Sequence, residues 1–169
     1  MPEFAPRKLL ETLVLHGVDF VLIGGMAGVA RGSAYVTLDV DVAYDRARAN
    51  LERLAGALQA LDAKLRGAPP DLPFVPDAKT LENGANFTFD TRYGSLDILA
   101  DPAGAPAYAA LRDEAGDVLV VEGFPIRVAS LDHLIAMKEA AGRPKDLLMA
   151  SEYRVISDEL RRPRDETTG

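Results

Sequence analysis

In the run Thr37-Leu-Asp-Val-Asp-Val-Ala-Tyr44, two aspartates stand two positions apart among apolar residues. Read as a strand, the run puts Leu38, Val40 and Val42 on one face and Asp39 and Asp41 on the other. The two carboxylates then lie roughly 6.5–7 Å apart along the chain. Like charges at that spacing disfavour each other, and a hard divalent cation removes the conflict because carboxylate oxygens suit Mg²⁺. Aspartate is also uncommon in strands, so a pair in one short run asks for a reason. Taken alone, an Asp-x-Asp is more often the solvated face of a half-exposed strand.

Two further signals bear on that choice. The apolar run Asp19-Phe-Val-Leu-Ile23 enters Gly24-Gly25 and then helix-forming residues. Glycine lets a backbone approach phosphate closely, and a helix start favours anions; a tight turn with no ligand is the other reading. Gly24-Gly25, Gly28 and Gly32 do not make the Gly-x-Gly-x-x-Gly of a dinucleotide site, and no Gly-Lys-Ser/Thr follows for a Walker loop. The third signal is Asp97, a lone acid between Leu96 and Ile98. If its strand lies beside that of Asp39 and Asp41, three carboxylates converge; otherwise it is a polar position on an exposed face. His16 and His133 have no second ligand at metal spacing and read as ordinary imidazoles.

Around these residues the chain alternates helices and strands. Residues 7–16 form an amphipathic helix, 19–23 a buried strand, 26–31 a short helix and 37–44 the aspartate strand. A helix over 47–61 carries Leu51, Leu54, Leu58 and Leu61 on one stripe, and a short strand follows at 63–66. Residues 67–76, with four prolines, read as a loop. Strands at 86–91 and 95–100 make a hairpin, 106–112 a helix, and 117–121 with 125–128 a second hairpin. Ser130 caps a helix to about Ala141, Gly142 and Pro144 break it, and 145–160 is a last helix. That order points to an α+β (mixed α/β) fold rather than a regular βαβ array.

Composition narrows the function classes. The 169 residues fit one domain, 48% hydrophobic and 27% charged. No apolar run is long enough to span a bilayer, so no membrane partner is expected. The start lacks a signal-peptide layout, which makes the cytoplasm the expected location. With no cysteine, disulfides and thiolate metal sites are excluded. The net charge of -7 leaves no broad footprint for nucleic acid, so an RNA partner would need a local basic patch. Arg31, Arg46 and Arg48 are candidates for RNA or nucleotide contacts, although surface arginines usually serve no ligand.

Ile23-Gly24-Gly25, then Leu38-Asp39-Val40-Asp41-Val42, then Leu96-Asp97-Ile98 together resemble the signature of the DNA polymerase β-like nucleotidyltransferase superfamily. The segments Ala129-Ser-Leu-Asp-His-Leu-Ile-Ala-Met-Lys138 and Ala141-Gly-Arg-Pro-Lys-Asp146 resemble the C-terminal motif of AbiEii-like and MenT-like nucleotidyltransferases. The resemblance spans residues 17–148 and implies a small mixed sheet flanked by helices, with a short C-terminal helical region. It implies a nucleotidyltransferase core over 1–129 with C-terminal helices over 130–160 packed on it, while the polar run 161–169 reads as a disordered tail.

The same resemblance implies that Asp39, Asp41 and Asp97 hold two Mg²⁺ ions, or Mn²⁺, against a nucleoside triphosphate. Asp97 would help deprotonate an acceptor hydroxyl. Gly24, Gly25 and Ser33 would cradle phosphates, and Lys138 would act in catalysis by neutralising triphosphate charge unless it is a solvated helix lysine. Arg143, Lys145 and Asp146 would contact the nucleotide, with helix capping and ion pairing as their alternative. The implied reaction moves NMP from NTP to an acceptor hydroxyl and releases pyrophosphate. A tRNA 3′ end is the favoured acceptor, in a toxin of a type IV toxin–antitoxin pair with a cognate antitoxin protein. A small-molecule (antibiotic) nucleotidyltransferase and a catalytically silent binding partner are the alternatives.

Overall fold

A computed structural model describes residues 3–163. The expected tail at 161–169 therefore lies outside the described residues from position 164 onward. Helix α1 (Pro6–Leu15) leads into strand β1 (Phe20–Ile23), every residue of which is buried. Helix α2 (Gly24–Ala30) starts on the diglycine itself, two residues earlier than the helix-forming run from Met26 suggests. Strand β2 (Asp39–Tyr44) then crosses back, and α3 (Arg48–Ala60) buries Leu51, Leu54 and Leu58.

After β3 (Lys64–Leu65) and the proline-rich loop comes α4 (Ala78–Asn83), a helix the periodicity does not announce. Its start is local chemistry: the Asp77 carboxylate accepts a hydrogen bond from Thr80 N at 2.8 Å. The hairpin β4 (Asn86–Thr91) and β5 (Gly94–Leu99) follows as its alternation predicts. Helix α5 (Tyr108–Asp113), the short hairpin β6 (Leu119–Val121) and β7 (Phe124–Ile126), then α6 (Leu131–Ala141) and α7 (Pro144–Arg161) complete the order.

The main sheet has five strands in the order β1-β2-β5-β4-β3. Strands β2 and β5 run parallel, and every other neighbouring pair is antiparallel, so the sheet is mixed as expected. Beyond β1, Leu22 bridges Val128, with Leu22 N donating to Arg127 O and Ala129 N donating to Leu22 O. That bridge covers the edge of β1 and delivers the chain to α6. The inward positions of β2 and β5, namely Val40, Val42, Leu96 and Ile98, are fully buried. Leu38, expected to join them, is 70% exposed because pairing begins only at Asp39.

Candidate active site

The register of β2 against β5 sets Asp41 directly opposite Asp97, and Asp39 opposite Ser95. In parallel strands, register partners point to the same face, so the carboxylates at 41 and 97 stand side by side. Asp39, one pleat earlier on that face, is exposed at the strand's entrance. Burial drives the Asp41 carboxyl up to about 7, and the charges of Asp97 and Asp39 push in the same direction. The nearness of the Asp97 carboxyl, which favours a proton shared between the two, adds to the rise, and the Lys138 charge opposes it.

Gly24 explains how Asp41 fits. Its φ of +71° is left-handed, and a Cβ at that position would overlap the Asp41 carboxylate. The diglycine thus lets the first turn of α2 lie directly on the acid. A cavity of about 250 Å³ opens there, with Gly24, Asp41 and Asp97 on one side and Lys138, Arg143 and Asp146 on the other.

The far wall is an ion cluster. Asp146 is 1% exposed, accepts from Arg143 Nε at 2.6 Å and Nη2 at 3.2 Å, and meets Lys138 Nζ at 3.4 Å. The bond from Arg143 holds the Asp146 carboxyl below its ordinary range against the cost of burial, with Lys138 assisting.

On the opposite flank Arg66, which the sequence patterns do not single out, reaches from the end of β3. Its Nη2 donates to Asp97 Oδ1 at 2.8 Å and to Phe89 O at 2.9 Å, and its Nε donates to Asp90 Oδ1 at 3.2 Å.

No protein-family model matches the chain, and no curated protein matches it in sequence. Among solved structures it is similar to the antibiotic-resistance factor ANT(2″)-Ia, at TM-score 0.59 and 18% identity over 92% of this chain and 82% of that one. It is similar to the lincosamide antibiotic adenylyltransferase LnuA at TM-score 0.58 and 14% identity, covering 91% of this chain and 99% of the other. A nucleotidyltransferase structure from Thermotoga maritima aligns at TM-score 0.52 and 14% identity, over 94% and 97% of the two chains. The chain has the nucleotidyltransferase fold.

Within this nucleotidyltransferase fold the remaining sequence candidates disperse. Ser33 is buried, donates its hydroxyl to Glu152 and accepts from Tyr35 N at 3.1 Å. It lines a different cavity from the one holding Asp41, so the structure does not bring it to the carboxylates. Lys145 is exposed on the first turn of α7 and makes no ion pair among the described residues.

The three arginines considered for RNA are engaged within the chain. Arg31 donates to the carbonyls of Ala115, Val128 and Ala129 at 2.8–3.1 Å. Arg46 donates to Glu82 O and Gly84 O at the end of α4. Arg48 pairs with Glu52 and Glu82. Orphan carbonyls and nearby acids are the partners each of them meets. His16 meets Thr12 O at 2.8 Å and His133 meets Glu114 at 2.9 Å, both structural contacts.

Sequence reasoning missed Arg66 and Asp90. A single arginine at the end of a two-residue strand has no periodicity to mark it, and Asp90 reads as one more polar position in an alternating hairpin. Their one sequence signal was the facing polar parity of Asp90 and Asp97 across the β4–β5 hairpin.

Proposed function

We propose that this protein transfers a nucleoside monophosphate from a nucleoside triphosphate to the hydroxyl of a small acceptor, releasing pyrophosphate. The observation that carries the reading is the side-by-side placement of Asp41 and Asp97 against the Gly24 turn. A divalent cation fits these residues, because the neighbouring acids and burial together raise Asp41 and a cation would relieve both effects. Asp41 and Asp97 would hold it, with Asp39 joining from the strand entrance. Among the described residues no group of three or more acids or imidazoles stands assembled as a metal cage. Mg²⁺ commonly takes one or two carboxylates and completes its shell with substrate phosphates and water, so a preformed cage is not required. When bound, the cation supplies charge neutralisation and activation at the phosphoryl group.

The chain's own groups account for the rest. Asp97 takes the acceptor's hydroxyl proton, the acceptor oxygen bonds to the α-phosphorus, and the bond to the β-phosphate oxygen breaks to release pyrophosphate. Lys138, in the same cavity as Asp41, offsets charge on the phosphates, and the Gly24-Gly25 backbone lets them approach closely. Asp146 and Arg143 hold the Lys138 side of the cavity in place.

A small acceptor is favoured over tRNA by charge and by shape. The net charge is -7, and Arg31, Arg46 and Arg48 are already engaged. A second cavity of about 490 Å³, lined by Leu65, Leu72, Phe74 and Asp90 among others, has the size of a small-molecule site. It adjoins the carboxylates through Asp90, which shares the Arg66 guanidinium with Asp97. The similar ANT(2″)-Ia has been solved with adenylyl-2″-tobramycin, and LnuA with lincomycin. A tRNA acceptor with a cognate antitoxin rests on the resemblance of residues 129–146 alone.

The test incubates the protein with Mg²⁺ and each α-labelled NTP, against a panel of hydroxylated antibiotics and against total tRNA. Label is expected on a small acceptor, with a loss of about 10²–10⁴-fold in Asp97→Asn and no transfer in Asp41→Asn. Label on tRNA alone would replace the small acceptor. Transfer that survives both variants would remove these acids from the chemistry, and no transfer to any acceptor would leave a binding role.

A further inference from the structure

We propose that Arg66 is the resident counter-charge of the carboxylate site and the residue that positions Asp97 for proton transfer. The inference rests on the reading of Asp97 as the acceptor-side base. Arg66 is placed by backbone pairing, its N donating to Thr88 O at 2.9 Å just past the end of β3. Thr88 is the register partner of Asp97 on β4, so the arginine is anchored one strand from the acid. From there a single guanidinium joins Asp90 Oδ1 at 3.2 Å, Phe89 O at 2.9 Å and Asp97 Oδ1 at 2.8 Å. A guanidinium anchored on Asp90 and Phe89 O presents a fixed donor to Asp97 Oδ1, which a flexible lysine ammonium does not reproduce.

Arg66 engages Oδ1 of Asp97, and Asp41 stands beside Asp97 as its register partner on β2. Asp97 therefore stands between a cation from the end of β3 that bonds it and an acid on β2 beside it. Lys138 and Arg143 line the cavity that holds Asp41 and Asp97, whereas Arg66 touches Asp97 itself. Lys138 is occupied with Asp146, and Arg66 with Asp97 and Asp90. One positive charge is thus shared between Asp97 and Asp90 before any cation or nucleotide arrives.

Two consequences separate positioning from mere stabilisation of the β3 edge. Removing the guanidinium frees Asp97 Oδ1 and takes away a repelling charge, so the vacated site should bind a divalent cation more tightly. The same removal lets the Asp97 carboxylate turn, so turnover should fall while nucleotide affinity holds.

The experiment compares wild type, Arg66→Ala, Arg66→Lys and Asp41→Asn. Mn²⁺ affinity is read by electron paramagnetic resonance without nucleotide, and kcat and KM for NTP are read with the acceptor found above. Arg66→Ala is expected to bind Mn²⁺ about three- to tenfold more tightly. It should also lose about 10- to 100-fold in kcat with KM for NTP within about threefold of wild type. Arg66→Lys should return Mn²⁺ affinity to near wild type and recover only part of kcat.

Unchanged Mn²⁺ affinity and kcat in Arg66→Ala, alongside weakened Mn²⁺ binding in Asp41→Asn, would overturn the role of Arg66 alone. Mn²⁺ binding indifferent to Asp41→Asn would instead overturn the carboxylate site on which the proposed function stands. If Arg66→Ala does not fold, Arg66→Gln keeps side-chain length without charge. It carries the same expectation for Mn²⁺, and weaker Mn²⁺ binding in it would overturn the proposal.

Discussion

An aspartate raised to about 7 is an acid that folding has made reluctant to ionise. Burial is the largest cause, with Asp97 and Asp39 next. Because its folded value lies above the ordinary 3.8, the folded protein binds a proton that the unfolded chain releases. Its effect on stability is therefore most favourable below the lower value and is lost as pH rises through the window up to about 7. A cation at the pair reverses the sign by favouring the ionised form. Mg²⁺ is accordingly expected to raise the thermal midpoint more at about pH 8 than at about pH 5.5, and Asp41→Asn to abolish the difference. Scanning fluorimetry at the two pH values checks this, and equal Mg²⁺ shifts at both would contradict it. These acids were legible in the sequence because strand alternation fixes which face each occupies, and because aspartate is conspicuous among valines and leucines. Arg66 was not, since its importance comes from register across β3, β4 and β5, which no local pattern encodes.

The turn between α6 and α7 shows the same division at the level of elements. Gly142, at φ 69°, provides the left-handed close of α6, and Pro144 opens α7 at its first position. Both ends follow from residue type, as does the Ser130 cap, whose oxygen accepts from His133 N at 3.2 Å. Ion pairing at Arg143 and Asp146 is one of the two readings of the sequence; what residue type did not reveal is that Asp146 is buried and that Lys138 joins it. Asp146 thereby ties the start of α7 to α6 beside the candidate site. Its lowered value means the stabilisation is present above the ordinary carboxylate range and lost as pH falls through the folded value. Arg143 is 74% exposed, so solvent screens the bond, and Asp146→Asn is expected to cost about 2 kcal/mol, less than for a fully buried pair. Urea unfolding at neutral pH measures it, and the gap from wild type should narrow toward pH 3. A gap independent of pH would assign the loss to packing rather than to charge. Helix α4 was illegible for another reason: six residues are too few for a periodic stripe, and its start depends on the Asp77 cap.

Across the whole molecule, the C-terminal helices are clasped to the N-terminal half at several separated points. Tyr153 of α7 packs so tightly over Gly28 of α2 that a Cβ there would come within 2.7 Å of its ring carbon Cζ. Glu152 of α7 accepts from the Ser33 hydroxyl and, at 3.2 Å, from Ala34 N. Val128 bridges Leu22, and Arg31 ties α2 to the carbonyls at 115, 128 and 129. The sequence led to C-terminal helices over 130–160 packed on the core, but nothing in those residues advertises which partners a hundred positions away they meet. Long-range contacts of this kind argue that residues 3–163 unfold as one unit, and Arg31 is the place to test it. Arg31→Met keeps an apolar stem of similar length while leaving three carbonyls without their donor. Charged hydrogen bonds of this type contribute roughly 1.5–3 kcal/mol each in isolation and do not add, so a loss of about 3 kcal/mol is expected. If the clasp integrates the molecule, the variant shifts the urea midpoint with one transition and an unchanged slope. A second transition appearing in Arg31→Met, with the far-ultraviolet helix signal lost ahead of the rest, would mean that α6 and α7 can leave a folded sheet, and that the Lys138 side of the candidate site is separable from its aspartates.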